Sequence, residues 1–252
     1  MVRYGASGRE VVLRDGGYEA RIVTVGAGLA GLTYRGHKVI VPHRVDECPP
    51  AYLGKVLMPW PNRVAGGAYS WEGTSYDLPV DEPAFGTSLH GFVAFQDWQV
   101  DRADASCVQL STLIAARYSY PWTLLASARY SLDARAGLAV ELSATNVGQG
   151  TAPLGVGFHP YLAIDGIRAD FLELTNPASI IYEADASMIP VAAHDVAGFG
   201  LDFRSPARIG EAGLDHCFAG LPPGTWTVTL RDPDSGVGVS LSSDARWLQV
   251  YS

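Results

Sequence analysis

The chain has 252 residues, of which 48% are hydrophobic and 17% charged, and its formal net charge is −8. This length is enough to bury a substantial core, and the 28 glycines and 16 prolines favour many strands joined by turns over long charged helices. The acidic balance argues against nucleic acid as a partner. It also mildly disfavours a strongly anionic substrate, unless a local arginine overrides it.

The cysteines and the apolar runs restrict the class of protein further. Cys48, Cys107 and Cys217 lie far apart without a C-x-x-C pair, so neither a disulfide framework nor a zinc motif is predicted. We expect them to be small thiols that fill the core. The N-terminus has no signal-peptide architecture, and no stretch approaches about 18 consecutive apolar residues. We therefore expect a cytoplasmic protein without a membrane partner.

The first predicted strand, from Tyr18 to Val25, leads into a glycine-rich segment that fits the dinucleotide-binding pattern G-x-G-x-x-G. The glycines are Gly26, Gly28 and Gly31, and the acidic pair that follows is Asp46 and Glu47. In a nucleotide-binding fold the third glycine opens a crossover helix. Residues 33–41 instead indicate a strand, a turn at 35–37 and a second strand. The sequence therefore predicts a bend between antiparallel strands, and a flavin or nicotinamide oxidoreductase is a distant alternative.

Later segments continue the strand pattern. Residues 69–78 are expected to form a hairpin around Glu72-Gly73, and strands with one apolar face are expected at 128–133, 138–146, 226–231 and 237–241. Turn signals rich in glycine and aspartate separate these runs. No helix longer than two turns is predicted. The pattern indicates an all-β fold, a large antiparallel sandwich or barrel, in a single domain covering residues 1–252.

Four short segments carry the side chains best suited to chemistry. In chain order they are Pro59-Trp60-Pro61-Asn62-Arg63, Leu89-His90-Gly91, His159-Pro160-Tyr161-Leu162 and Leu214-Asp215-His216-Cys217-Phe218. The prolines fix the backbone and thereby the direction in which neighbouring side chains point. Taken singly, each segment has a structural explanation: an ion-paired arginine, a turn-capping aspartate, or a histidine that packs at a strand end.

In this order and at these separations the segments resemble the aldose 1-epimerase family, and the similarity runs from about Gly26 to the C-terminus. The resemblance implies a galactose mutarotase-like β-sandwich that uses no cofactor and no metal. It implies a monosaccharide as the small-molecule partner and a monomer or homodimer. The implied reaction is mutarotation of a free hexose, in which an acid and a base open and reclose the ring.

The resemblance also implies roles for five residues. His159 would be the general acid towards the ring oxygen, and His90 would hydrogen-bond near that oxygen and support the reaction. Arg63 and Asn62 would bind hydroxyls at the anomeric end, and Asp215 would accept hydrogen bonds from sugar hydroxyls. The aromatic residues that could wall the site are Trp60, Phe92 and Tyr161.

One part of the family pattern is not found. The family's general base is a glutamate beyond the segment that corresponds to Trp247–Tyr251, so we expect the C-terminal strand or strands to be missing and the activity of this chain to be impaired. Two alternatives stay open. One is a non-catalytic carbohydrate-binding relative. The other is a hexose-phosphate mutarotase, which would need basic residues such as Arg44, Lys55 or Arg246 at the rim of the site.

Overall fold

The computed structural model describes residues 4–252, and these form two compact units, one ending at Tyr161 and one covering Leu162–Ser252. Each unit is considered by itself below, and the single domain expected from the sequence stays a prediction. The strands of the first unit are β1 (Glu10–Asp15), β2 (Tyr18–Val23), β3 (Gly28–Tyr34), β4 (His37–Lys38), β5 (Val56–Leu57), β6 (Arg63–Ala65), β7 (Ala68–Trp71), β8 (Thr74–Asp77), β9 (Thr87–Leu89), β10 (Gln99–Ala103), β11 (Cys107–Ile114), β12 (Leu124–Asp133), β13 (Gly137–Asn146) and β14 (Gly157–Phe158).

Two four-stranded antiparallel sheets build the core of the first unit, with strand orders β1-β2-β3-β4 and β10-β11-β12-β13. Strand β1 contacts β11 and β12, and β2 contacts β12. Along β12 the alternation is regular: Ala128, Tyr130 and Leu132 are buried, whereas Arg129 and Asp133 are exposed. The period of two places one face of each strand against the other sheet, as the sequence predicts. Three two-stranded ladders, β5 with β14, β6 with β9, and β7 with β8, complete this unit.

The glycine-rich segment is a bend between β2 and β3, which pair antiparallel. Gly26 has a φ of +73°, a region that favours glycine. A methyl group at this position would overlap the carbonyl oxygen of Ala94. The chain therefore requires glycine here for close backbone packing, and the predicted bend is confirmed.

The second unit also consists of two four-stranded sheets, ordered β18-β15-β20-β21 and β17-β16-β19-β22. Its strands are β15 (Glu173–Thr175), β16 (Ile180–Ala184), β17 (Pro190–Asp195), β18 (Ala207–Arg208), β19 (Asp215–Ala219), β20 (Trp226–Arg231), β21 (Gly238–Ser243) and β22 (Leu248–Tyr251). Trp226, Val228 and Leu230 point from β20 into the core of this unit, as their alternation predicts.

Helix is limited in the described residues to a 3₁₀ turn, Ala169–Phe171, and one α-helical turn, α1 (Val196–Phe199). Asp195 caps α1 because its carboxylate accepts a hydrogen bond from the backbone N–H of Ala197. No helix among residues 4–252 is long and apolar enough to cross a membrane.

The three cysteines are free thiols. Cys107 and Cys217 are half-buried, whereas Cys48 is exposed in the loop between β4 and β5. The expectation that Cys48 fills the core is therefore wrong, because this long loop lies at the surface around it.

Candidate functional site

The short ladder of β6 and β9 brings two of the predicted segments together. Arg63 pairs with Leu89 in this ladder, so Asn62 and His90 face each other just outside it. The backbone N–H of His90 donates to the carbonyl oxygen of Asn62 at 2.9 Å, and the backbone N–H of Asn62 donates to Nδ1 of His90 at 2.9 Å. Both residues have a φ of +61°, a left-handed conformation that is uncommon outside glycine and concentrates at functional sites.

The hydrogen bond from Asn62 fixes the tautomer of His90. Nδ1 must be unprotonated to accept it, so in the neutral ring Nε2 carries the proton and is a donor. Burial, together with the positive charge of His159 in its protonated form and that of Arg63, lowers the pKa of His90 to about 3. His90 is therefore a neutral hydrogen-bond donor near pH 7.

His159 follows β14, which pairs with β5, and it is held by the segment before β5. Its backbone N–H donates to the carbonyl oxygen of Lys55 at 3.0 Å, and the N–H of Gly54 donates to the carbonyl oxygen of His159 at 2.8 Å. The rings of His90 and His159 have centroids 5.4 Å apart and are nearly perpendicular, at 89°. Tyr161 stacks on the His159 ring at 5.2 Å. The His-Pro-Tyr segment therefore lies beside the Leu-His-Gly segment.

Arg63 has a partner that the sequence pattern does not indicate. Its Nε donates to Oε2 of Glu82 at 2.7 Å and its Nη2 donates to Oε1 at 2.9 Å, a bidentate pair. The two side chains are only 13% and 18% exposed. Burial raises the pKa of Glu82, but hydrogen bonds from Arg63 and Thr87 outweigh it and leave that pKa lowered. Glu82 lies in a loop without periodicity, so only a search for a partner of Arg63 could have found it.

The pairing with Glu82 leaves part of the Arg63 guanidinium available. Nη1 donates to Oδ1 of Asn62 at 3.3 Å, so three of its five N–H groups are engaged. The remaining two could bind a ligand, and Glu82 holds the guanidinium plane in one orientation.

Aromatic side chains lie on the same chain segments, and two of them contact the histidines. The edge of Tyr52 packs against His90 with ring centroids 4.5 Å apart, and Trp60 packs against Phe92 at 4.8 Å. The hydroxyl of Tyr161 donates to the carbonyl oxygen of Ala51 at 3.1 Å. Tyr52 is not indicated by the sequence pattern, although its φ of +55° makes its backbone as unusual as that of Asn62 and His90.

Asp215 lies in the second unit, whereas the other four predicted site residues lie in the first. It begins β19, opposite Tyr251 of β22, which confirms the expected carboxylate at a strand start. Oδ1 of Asp215 accepts a hydrogen bond from Nε2 of Gln249 at 2.8 Å. A carboxylate retains further lone pairs, so hydrogen bonds to a ligand are compatible with this contact.

Two basic residues that a hexose phosphate could have used are engaged elsewhere. Arg44 is exposed, and both oxygens of Asp46 accept from its guanidinium at 2.8 and 2.6 Å. Lys55 is 1% exposed and donates to the carbonyl oxygen of Val25 at 2.7 Å. Arg246 is exposed in the second unit. Within residues 4–252, no three His, Cys, Asp or Glu side chains are grouped so as to hold a metal ion.

Comparison with known proteins gives a consistent result. Residues 9–252 match the family model described as aldose 1-epimerase. The uncharacterized protein YihR of Escherichia coli K12 is 41% identical over 246 residues, which cover 98% of this chain and 80% of YihR. The uncharacterized protein YphB of the same organism is 34% identical over 190 residues, which cover 74% of this chain and 61% of YphB.

Solved structures share the fold. The GalM/aldose epimerase homologue from C. elegans superposes with a TM-score of 0.86 at 22% identity, covering 96% of this chain and 81% of that protein. Galactose 1-epimerase from Lactobacillus acidophilus superposes with a TM-score of 0.75 at 25% identity, covering 88% of this chain and 72% of that protein. The predicted all-β, galactose mutarotase-like sandwich fold is therefore confirmed, and the predicted lack of a C-terminal strand stays a prediction.

Proposed function

The chain belongs to the aldose 1-epimerase family, and from that premise we propose that it is a mutarotase that interconverts the α and β anomers of a free hexose. The observation that carries the proposal is the pair of histidines, His90 and His159. Their ring centroids are 5.4 Å apart, and His90 lies beside Asn62, which in turn contacts Arg63. Two imidazoles and a guanidinium supply the donors that a hemiacetal needs at its ring oxygen and its hydroxyls. The chemistry requires no redox step.

The two histidines have different roles in this proposal. Ring opening needs a proton on the ring oxygen and removal of the proton from the anomeric hydroxyl. His90 cannot supply that proton as an imidazolium, because its pKa is lowered to about 3 by burial and nearby positive charge. The general acid is then His159. Neutral His90 donates a hydrogen bond from Nε2 and stabilises the charge that develops near the ring oxygen.

Arg63 and Asn62 bind hydroxyls at the anomeric end, and the hydrogen bonds to Asp215 that the resemblance implies stay a prediction. The bidentate pair with Glu82 fixes the Arg63 guanidinium before the sugar arrives. A group that is already ordered loses less side-chain entropy on binding. The partner in this proposal is a monosaccharide. The cytoplasm is the proposed location, since free thiols suit a reducing compartment.

The resemblance implies a late glutamate as the general base. Glu82 is a poor substitute: both of its oxygens accept hydrogen bonds from Arg63, and its pKa is lowered. Because the Glu82 carboxylate is occupied by Arg63, a second candidate is favoured, a carbohydrate-binding protein that holds the sugar without turnover. The two functions would use the same sugar-binding residues and would differ in rate enhancement.

Optical rotation of freshly dissolved α-D-glucose and α-D-galactose separates the candidates. Acceleration that is lost in His159→Ala and kept in His194→Ala supports the mutarotase. His194 is a suitable control because it pairs with Glu183 in the second unit. Sugar binding without acceleration would support the binding protein instead.

A further inference from the structure

Arg117 lies against an aromatic ring in the loop between β11 and β12. Its guanidinium lies over the ring of Phe92, 3.9 Å from the centroid, and its hydrogen bond is a long one, Nε to the carbonyl oxygen of Ala115 at 3.4 Å. Within the described part of the chain no carboxylate pairs with it. Burial lowers its pKa, as expected for a partly desolvated cation without an anion. The Nη groups of Arg117 are thus available to a ligand.

The loop that carries Arg117 is firmly held. It joins β11 to β12, and Arg117 and Tyr120 exchange backbone hydrogen bonds of 3.0 and 2.9 Å. The hydroxyl of buried Tyr120 donates to the carbonyl oxygen of Pro153 at 2.6 Å. The hydroxyl of Tyr69 donates to the carbonyl oxygen of Ser119 at 2.9 Å. The backbone of Arg117 is therefore fixed on both sides, and its side chain extends from there over Phe92.

A second donor without a partner lies against the same ring. The indole of Trp60 packs edge-on against Phe92, and its Nε1 is buried without a hydrogen-bond acceptor in the described residues. A buried unpaired donor costs about 1–3 kcal/mol and is rare in folded proteins. The indole N–H and the guanidinium both lie against the Phe92 ring, and a negatively charged acceptor would suit both donors.

Chain connectivity links Trp60 and the Phe92 ring under Arg117 to the proposed anomeric end. Trp60 precedes Asn62 by two residues and Phe92 follows His90 by two residues. Two residues of chain span at most about 7 Å, which is comparable with the distance across one hexose. A sugar whose anomeric carbon lies at His90 can therefore present a substituent on another carbon to Arg117.

We propose that Arg117 and Trp60 form an anion subsite, and that the preferred sugar carries one singly charged oxyanion group, a carboxylate or a sulfate, away from its anomeric carbon. This inference rests on the proposed function for the position of the sugar. A single guanidinium balances one negative charge, and Lys55 and Arg44 are engaged elsewhere. A doubly charged phosphate would keep an unbalanced charge in a protein whose net charge is −8.

Binding of methyl glycosides tests the subsite without any turnover, because a methyl glycoside cannot open its ring. Dissociation constants of the full chain would be measured by calorimetry for methyl α-D-glucuronide, methyl α-D-glucoside 6-sulfate, the 6-phosphate and neutral methyl α-D-glucoside. One charge-assisted contact predicts at least about tenfold tighter binding of a singly charged glycoside than of the neutral one. The preference should weaken as salt is raised.

In Arg117→Gln, the affinity for the singly charged glycosides should become about equal to the affinity for the neutral glycoside. Arg102→Gln, a change at an exposed arginine of β10, should leave the ratio of these affinities unchanged. Arg117→Lys keeps the charge and should keep part of the preference, which provides a second test if Arg117→Gln folds poorly.

Equal affinity of the native protein for charged and neutral glycosides would overturn the inference, and so would a preference that survives in Arg117→Gln. Tighter binding of the 6-phosphate than of both singly charged glycosides would contradict the single charge. A failure of the proposed mutarotase function would appear separately, as the absence of accelerated anomerisation for every free sugar, while selective glycoside binding persisted.

Discussion

The backbone N–H of Asn62 donates a hydrogen bond to Nδ1 of His90 across 2.9 Å. This contact joins two segments that are 28 residues apart in the sequence. It also decides which nitrogen of His90 can act as a donor towards a ligand. The lowered pKa of His90 and its tautomer both follow from this position.

His90 should stay neutral well below pH 6. Its pKa in the folded protein is about 3, whereas the ordinary value is 6.5, so between these values the unfolded chain binds more protons. Stability should therefore fall as the pH decreases from about 6.5 towards 3, and His90→Gln should reduce this dependence. Chemical denaturation at several pH values measures it. An NMR titration showing that His90 protonates near pH 6 in the folded protein would contradict the prediction.

Glu82→Gln should destabilise the protein by about 1–3 kcal/mol, because it weakens a bidentate, charge-assisted pair with Arg63 in a largely buried position. The double-mutant cycle with Arg63→Gln should give a clear coupling energy in urea denaturation. Glu19→Gln is the matched control, since Glu19 pairs with Arg14 at an exposed position and should cost less than about 1 kcal/mol. Equal losses for the two glutamate variants would rule out a special role for the Arg63 pair.

Lys55→Met should remove a characteristic pH dependence of stability. Burial lowers the pKa of Lys55 to about 8 from an ordinary 10.5, so in this interval the unfolded chain binds more protons. The native protein should gain a stability contribution from Lys55 as the pH rises from 8 to 10.5, and the methionine variant should lack it. Denaturant midpoints at pH 8 and pH 10 measure the difference. The same slope in both proteins would disprove the assignment.

Gly26→Ala should lower the stability by more than about 1–2 kcal/mol, the cost of a left-handed alanine alone, because its methyl group would also overlap the Ala94 carbonyl. Gly36→Ala is the control, since Gly36 also has a positive φ but no atom within 4 Å of the added methyl group. The difference between the two variants in thermal unfolding measures the packing contribution. Similar losses would mean that the conformation, rather than the close approach, requires glycine in the bend.

The sequence by itself determined the strands and the order of the site segments. Alternation along β12 and β20 predicts which side chains are buried, since a period of two is a local property of an extended chain. The glycine pattern at Gly26 could be separated from a nucleotide-binding motif because the residues that follow it indicate strands and a turn. The family resemblance then placed His90 and His159 in one site, and the structure brings them together in the first unit.

Only the tertiary structure decided the state of these groups. The pairing of Arg63 with Glu82, the neutral form of His90 and the contact of Arg117 with Phe92 depend on burial and on partners that are distant in sequence. Desolvation and charge–charge interactions act through space, so no local pattern of residues encodes them. The strands could therefore be predicted from the sequence, whereas the electrostatics of the site required the folded chain.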